Sequence, residues 1–148
     1  MDVQELRLSQ VERALKQATV PPRPHIGWIQ TIRTALGMTT RQLATRLGVT
    51  QSTLAELEKS EAADRITLHS LRRVADALDC DLQYVLVPRT PLKKRVDHQA
   101  DNIARKQVAR VFHSMRLEDQ APTASVDKKE IAKVRSSLLS ANWKRLWE

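Results

Sequence analysis

Gln51, Ser52, Thr53 and Glu56 stand close together in a segment that also carries the apolar residues Leu54 and Leu57. An amide offers both a donor and an acceptor, a hydroxyl offers either, and a carboxylate accepts from the amino group of cytosine. This is the repertoire that reads base edges in the major groove of B-DNA. On a helix, Leu54 and Leu57, with Val49 before them, turn toward a core and leave the four polar residues on the outer face of its N-terminal turns. The chemistry is recognition and not bond making.

For these side chains to enter a groove, another helix must cross and hold theirs. Two of the three glycines in the 148 residues serve that geometry. Gly37 follows an apolar-periodic run through Trp28, Ile29, Ile32 and Leu36, where a left-handed residue closes a helix. Thr39 or Thr40 then supplies the next N-cap. Gly48 comes directly after Leu43-Ala44-x-x-Leu47 and just before the cap Thr50, so the turn is very short and the helix from Gln51 crosses its predecessor steeply. Ala44 is small where the two helices touch. The pattern predicts a helix-turn-helix DNA reader; the alternative is a helical hairpin of another all-α protein, with the polar residues merely solvated.

Around this motif the sequence suggests three parts. Residues 1–24 hold a helical arm with Val3, Leu6, Val11, Ala14, Leu15 and Ala18 at near-helical spacing, ending in the stiff hinge Pro21-Pro22-Arg23-Pro24. The arm's apolar face packs on its own domain or on a neighbouring subunit. Residues 25–90 predict five short helices around one core: one from near His25, the reader pair, one capped by Thr67 with Leu68, Leu71, Val74, Ala75 and Leu78 inward, and one over Leu82 to Leu86 stopped by Pro88. Residues 91–148 predict a long helix striped by Val96, Ala100, Ile103, Ala104, Val111 and Met115. A break from Glu118 to Asp127 around Pro122 follows, then a last helix capped by Asp127. Trp143 and Trp147 stand in the final six residues and dock on something, their own chain included.

Charge supports a polyanionic partner. The net charge is +8, and residues 91–148 carry 13 Lys and Arg against seven Asp and Glu, whereas residues 25–90 carry eight against seven. Arg89, Lys93, Lys94, Arg95, Arg105, Lys106, Arg110 and Arg116 face only Asp97 and Asp101 in their stretch, a footprint for phosphates. Lys106 and Arg110 lie at i, i+4 and share a face; the alternative is an ordinary solvated helix surface. No apolar run approaches the length of a membrane span and no signal peptide opens the chain, so a cytoplasmic protein is expected. The lone Cys80 reads as a small buried hydrophobe. No metal cluster and no cofactor motif is visible. His25, His69, His98 and His113 stand far apart without a nucleophile arrangement, which argues against an enzyme.

Residues 25 to 87 resemble the Xre-type, lambda-repressor-like domain of phage repressors and many antitoxins. The resemblance implies that Arg33 on the first core helix pairs with Glu58 at the end of the reader helix, and that Gln51, Ser52 and Glu56, with Thr53 nearby, read bases. Thr40 stands where many relatives carry a phosphate-contacting Gln, so that contact is shortened or passes to Arg41. Lys59 joins Thr40, Arg41, Lys106 and Arg110 as an expected phosphate contact.

The flanks narrow the likeness. Arg23-Pro24 with Gly27-Trp28-Ile29, Ile32-Arg33, Ala35-Leu36-Gly37-Met38, Leu57-Glu58-Lys59-Ser60-Glu61, Ala77-Leu78-Asp79-Cys80, Leu86-Val87-Pro88 and His113-x-Met115-x-Leu117-Glu118-Asp119-Gln120 resemble the family called mobile mystery protein A. Such proteins typically lie beside a gene for a Fic-domain protein, which implies an antitoxin or regulator in a two-gene module. The expected function is a homodimeric repressor of a palindromic operator, its own promoter first. The alternative is a protein that neutralises a Fic-domain toxin directly, with DNA binding secondary.

Overall fold

The computed structural model of the chain describes residues 2–118 and 124–148, and all regular structure among them is helical. In order these are α1 (Val3–Lys16), α2 (Trp28–Ala35), α3 (Thr40–Leu47), α4 (Gln51–Ala62), α5 (Leu68–Ala77), α6 (Leu92–Leu117) and α7 (Ala124–Ser140). A short 3-10 helix, Trp143–Trp147, ends the chain. They form two compact units: residues 19–85, and residues 1–18 together with 86–148. The boundaries suggested by the sequence were 1–24, 25–90 and 91–148.

In the unit 19–85 each of the four helices contributes to one core of Ile29, Leu43, Ala44, Leu54, Val74 and Leu78. Three helices open on a threonine. Thr39 accepts from Gln42 N at 3.2 Å while Gln42 Oε1 accepts from Thr39 N at 2.8 Å, a reciprocal box. Thr50 accepts from Thr53 N and Thr67 from Ser70 N, each at 3.1 Å. All four helices close alike. The amides of Met38, Val49, Arg65 and Cys80 reach back to the carbonyls of Arg33, Ala44, Ser60 and Ala75 at 2.8–3.0 Å, over a preceding residue with positive φ. That residue is Gly37 or Gly48 in the first two and Asp64 or Asp79 in the last two.

Two expectations are corrected here. Residues 82–86 form no helix: 81–88 run without helix, turn or bend, so four helices rather than five build this unit. Five residues are too few to nucleate a helix unaided, and Tyr84, Val85 and Val87 favour extended backbone. The first core helix begins at Trp28 and not near His25, because Pro24 to Gly27 close a turn, Gly27 N donating to Pro24 O at 2.9 Å.

In the other unit, Val96 and Ala100 of α6 pack with Trp143 and Leu146, flanked by Leu8 of α1, Ile103, Leu138 and Leu139. The N-terminal helix touches this unit through Leu8 and through Glu12, whose Oε1 accepts from Lys93 N at 2.9 Å at the start of α6, but Val3, Leu6 and Val11 of the face expected to pack are exposed. Of the two closing tryptophans Trp143 docks there, whereas Trp147 is left about half exposed. Trp143 is buried and its Nε1 donates to Leu139 O at 2.9 Å, and Gln99 Nε2 donates to Leu146 O at 2.6 Å. Helix α7 starts at Ala124, which places Asp127 inside its first turn and not at a cap; an acid there still favours the helix dipole. Of the expected break from Glu118 to Asp127, residues 119–123, with Pro122, lie outside the described residues.

Candidate nucleic-acid interface

The reader pair is α3 and α4, joined by Gly48, Val49 and Thr50. Gly48 ends α3 at φ 75°, a conformation a side chain resists, and its N–H donates to Thr45 O at 3.2 Å. That single left-handed residue lets the chain reverse within three residues. Leu54 is fully buried and Leu57 half-buried, which fixes the rotation of α4 about its axis. Gln51, Ser52, Thr53 and Glu56 are consequently all exposed.

These four are not equally free. Thr53 Oγ1 lies 2.8 Å and Ser52 Oγ 3.2 Å from Thr50 Oγ1, so both hydroxyls share protons with the cap. Glu56 stands 3.6 Å from Lys59 Nζ with both side chains largely in water, a pair too exposed to hold either in place. Gln51 makes no side-chain hydrogen bond among the described residues and keeps its donor and acceptor for a ligand. On α3, Thr40 is half-buried in the first turn, while Arg41 is exposed beside it. Lys106 and Arg110 are exposed on α6, in the other unit from the reader pair. Arg105, a neighbour in the basic stretch, donates Nε to Asp101 Oδ2 at 2.7 Å. That hydrogen bond, with the charges of Arg105, Arg135 and His98, holds the Asp101 carboxyl below its usual range.

Two buried polar anchors set the reader helix against α2. Arg33 Nε donates to Glu58 Oε1 at 2.6 Å and Nη2 to Oε2 at 3.2 Å, while Nη1 donates to Met38 O at 3.0 Å. Both side chains are about nine-tenths buried. The forked geometry satisfies both carboxylate oxygens, the condition under which a buried pair is tolerated.

The second anchor has no counterpart in the motif reading. Gly27 gives α2 no capping side chain. Glu61, 3% exposed at the end of α4, supplies the missing acceptors: Oε1 takes Trp28 N at 2.5 Å and Oε2 takes Ile29 N at 2.9 Å. Gly27 is held at φ 87°, and a Cβ there would fall 2.8 Å from Glu61 Cδ. Arg23 completes the clamp, donating to Glu61 O and pairing with Asp64 at 2.9 Å. The signal in the sequence is indirect: a helix start without Ser, Thr, Asp or Asn must find its acceptor elsewhere.

Residues 29–85 match the model of a helix-turn-helix family, the span of the four-helix unit from Ile29 to Val85. No curated protein and no solved structure matches the chain. The four-helix unit has an Xre-like helix-turn-helix fold, which supports a DNA-binding transcription regulator. No helix among the described residues is long and apolar enough to cross a membrane.

Proposed function

We propose that the protein is a sequence-specific repressor that binds a palindromic operator as a homodimer, its own promoter among its targets. The observation that carries this reading is the exposed N-terminal face of α4, where Gln51 and Glu56 project freely from a helix locked by Leu54, Glu58 and Glu61. One such helix spans too few base pairs for specificity, so two copies on half-sites about 34 Å apart are needed. Gln51 and Glu56 read base edges, with Ser52 and Thr53 in support. Thr40, Arg41 and Lys59 hold the flanking phosphates, and Lys106 and Arg110 add charge outside the groove. A gel shift with the DNA upstream of the protein's own gene tests this: a complex that survives excess random duplex is expected, and equal competition by both DNAs overturns it.

A second reading draws on the unit formed by residues 1–18 and 86–148. Leu8, Val11, Val96, Trp143 and Trp147 line an open apolar groove of about 450 Å³ there, rimmed by Arg7 and Arg95. A protein surface of this kind suits the antitoxin role that the resemblance implies, with a Fic-domain toxin as partner. Copurification of the two chains is the expected result, and its absence on coexpression removes this reading.

A further inference from the structure

Residues 81–88, Asp-Leu-Gln-Tyr-Val-Leu-Val-Pro, have the composition of a strand, with Tyr84 to Val87 an unbroken apolar run, but no partner strand among the described residues. No backbone amide or carbonyl among them makes a hydrogen bond to the described residues, and Tyr84, Leu86 and Val87 are 66%, 83% and 70% exposed. Leu82, Val85 and Pro88 are half-buried and the other positions exposed; drawn into a paired strand, with its two-residue period, Leu82, Tyr84, Leu86 and Pro88 would fall on one face and Asp81, Gln83, Val85, Val87 and Arg89 on the other. Such an open, apolar edge is a template for another strand.

We propose that this segment pairs antiparallel with the same segment of a second copy, centred on Val85. The sequence complements itself in that register. Val85 lies opposite Val85 of the second copy, Tyr84 opposite Leu86, Gln83 opposite Val87, Leu82 opposite Pro88 and Asp81 opposite Arg89. Neither Asp81 nor Arg89 makes an ion pair among the described residues, and this register gives each an opposite charge. Positions in an antiparallel ladder alternate between pairs that exchange hydrogen bonds and pairs that do not. Pro88 lacks an N–H and must occupy the second kind. That choice makes Gln83, Val85 and Val87 the bonding positions and brings Tyr84 against Leu86 at the closer, non-bonded spacing, where aromatic–aliphatic pairs gain most.

A two-stranded ribbon is marginal alone, so the dimer is weak in free solution and strengthened when both readers occupy one operator. The choice of a second copy as the occupant rests on the two-reader account above; the register rests on the segment itself.

The test places a cysteine in the full-length chain with Cys80→Ala. In the proposed register Val85→Cys faces its own copy about 5.5 Å away, within disulfide reach. Leu86→Cys faces Tyr84, and its own copy lies diagonally about 7–8 Å off, too far to bridge. Mild oxidation of Val85→Cys is expected to give a product of twice the chain mass on a non-reducing gel, and Leu86→Cys to remain single. Both variants are checked for unchanged helicity by circular dichroism. No link at Val85, equal linking at both sites, or protection of the segment only when a different protein is added overturns the proposal. Binding of the same variants to a duplex with two half-sites is measured in parallel. A paired complex without the Val85 link discards the strand pairing and leaves the reader account standing, whereas a Val85 link without DNA binding does the reverse.

Discussion

Replacing Glu61 by Ala removes both acceptors from the start of α2. The carboxylate takes Trp28 N at 2.5 Å and Ile29 N at 2.9 Å, and it is almost wholly shielded from water. Hydrogen bonds to charged groups contribute roughly 1.5–3 kcal/mol each, and a stranded buried amide costs on the order of 1–3 kcal/mol. The two bonds share one carboxylate and do not add fully, so a loss of about 3 kcal/mol is expected. In a unit of this size, 1 kcal/mol moves the melting midpoint by roughly 4–8 °C, which puts the expected fall at about 12–24 °C. Glu61→Gln retains one acceptor and turns an amide NH₂ toward the other backbone N–H, so it falls between Ala and the parent. Gly27→Ala adds an independent check, because its Cβ meets Glu61 at 2.8 Å. With Glu61→Ala present that clash is gone, and Gly27→Ala then costs less than it does in the parent chain. The assay is thermal melting by circular dichroism, with hydrogen exchange at Trp28 and Ile29 to localise the change. A shift under 3 °C for Glu61→Ala (below the roughly 4 °C of 1 kcal/mol), or fully additive effects of the two substitutions, refutes the reasoning.

Two further outcomes follow from the same geometry. Arg33→Met strands the Glu58 carboxylate in a site about nine-tenths buried, at a cost of roughly 3–5 kcal/mol, and pairing it with Glu58→Leu recovers part of that loss; chemical denaturation of the two singles and the double measures it, and an unmoved midpoint for Arg33→Met contradicts the role. Changing Lys106 and Arg110 together to Gln reduces the slope of log affinity against log salt by about 1.8, roughly 0.9 per phosphate contact, without altering the preferred sequence; a full slope in the double variant reassigns that face to solvent or to a protein partner.

What could be read in the sequence was whatever the chain decides locally. Thr39, Thr50 and Thr67 cap helices with amides three residues ahead, and Gly37 and Gly48 mark the ends of two of them, so those boundaries stand in the sequence as fixed spacings. Asp64 and Asp79 close helices by the same geometry without a glycine to announce it, because Asp tolerates the left-handed region at some cost. The caps that cross the fold left no such mark. Glu61 serves an amide 33 residues away and Glu12 one 81 residues away, and each looks in sequence like any other acid on a helix. The stretch Leu82 to Leu86 misled for a related reason: a short apolar run has no period long enough to separate helix from strand. For the outer face of α4, exposure was legible and the freedom of each side chain was not. That Thr53 and Ser52 share their hydroxyls with Thr50 depends on rotamers, which leaves Gln51 and Glu56 as the freer pair.

The central claim is that the outer face of α4 selects sequence, and Gln51→Ala tests it most directly because the side chain is exposed and supports nothing in the core. Affinity is measured for the parent and the variant on the operator and on a random duplex of equal length at one salt concentration. The account predicts a loss of about 1–3 kcal/mol on the operator and almost none on the random duplex. Equal losses on both duplexes, or no loss on either, would contradict it.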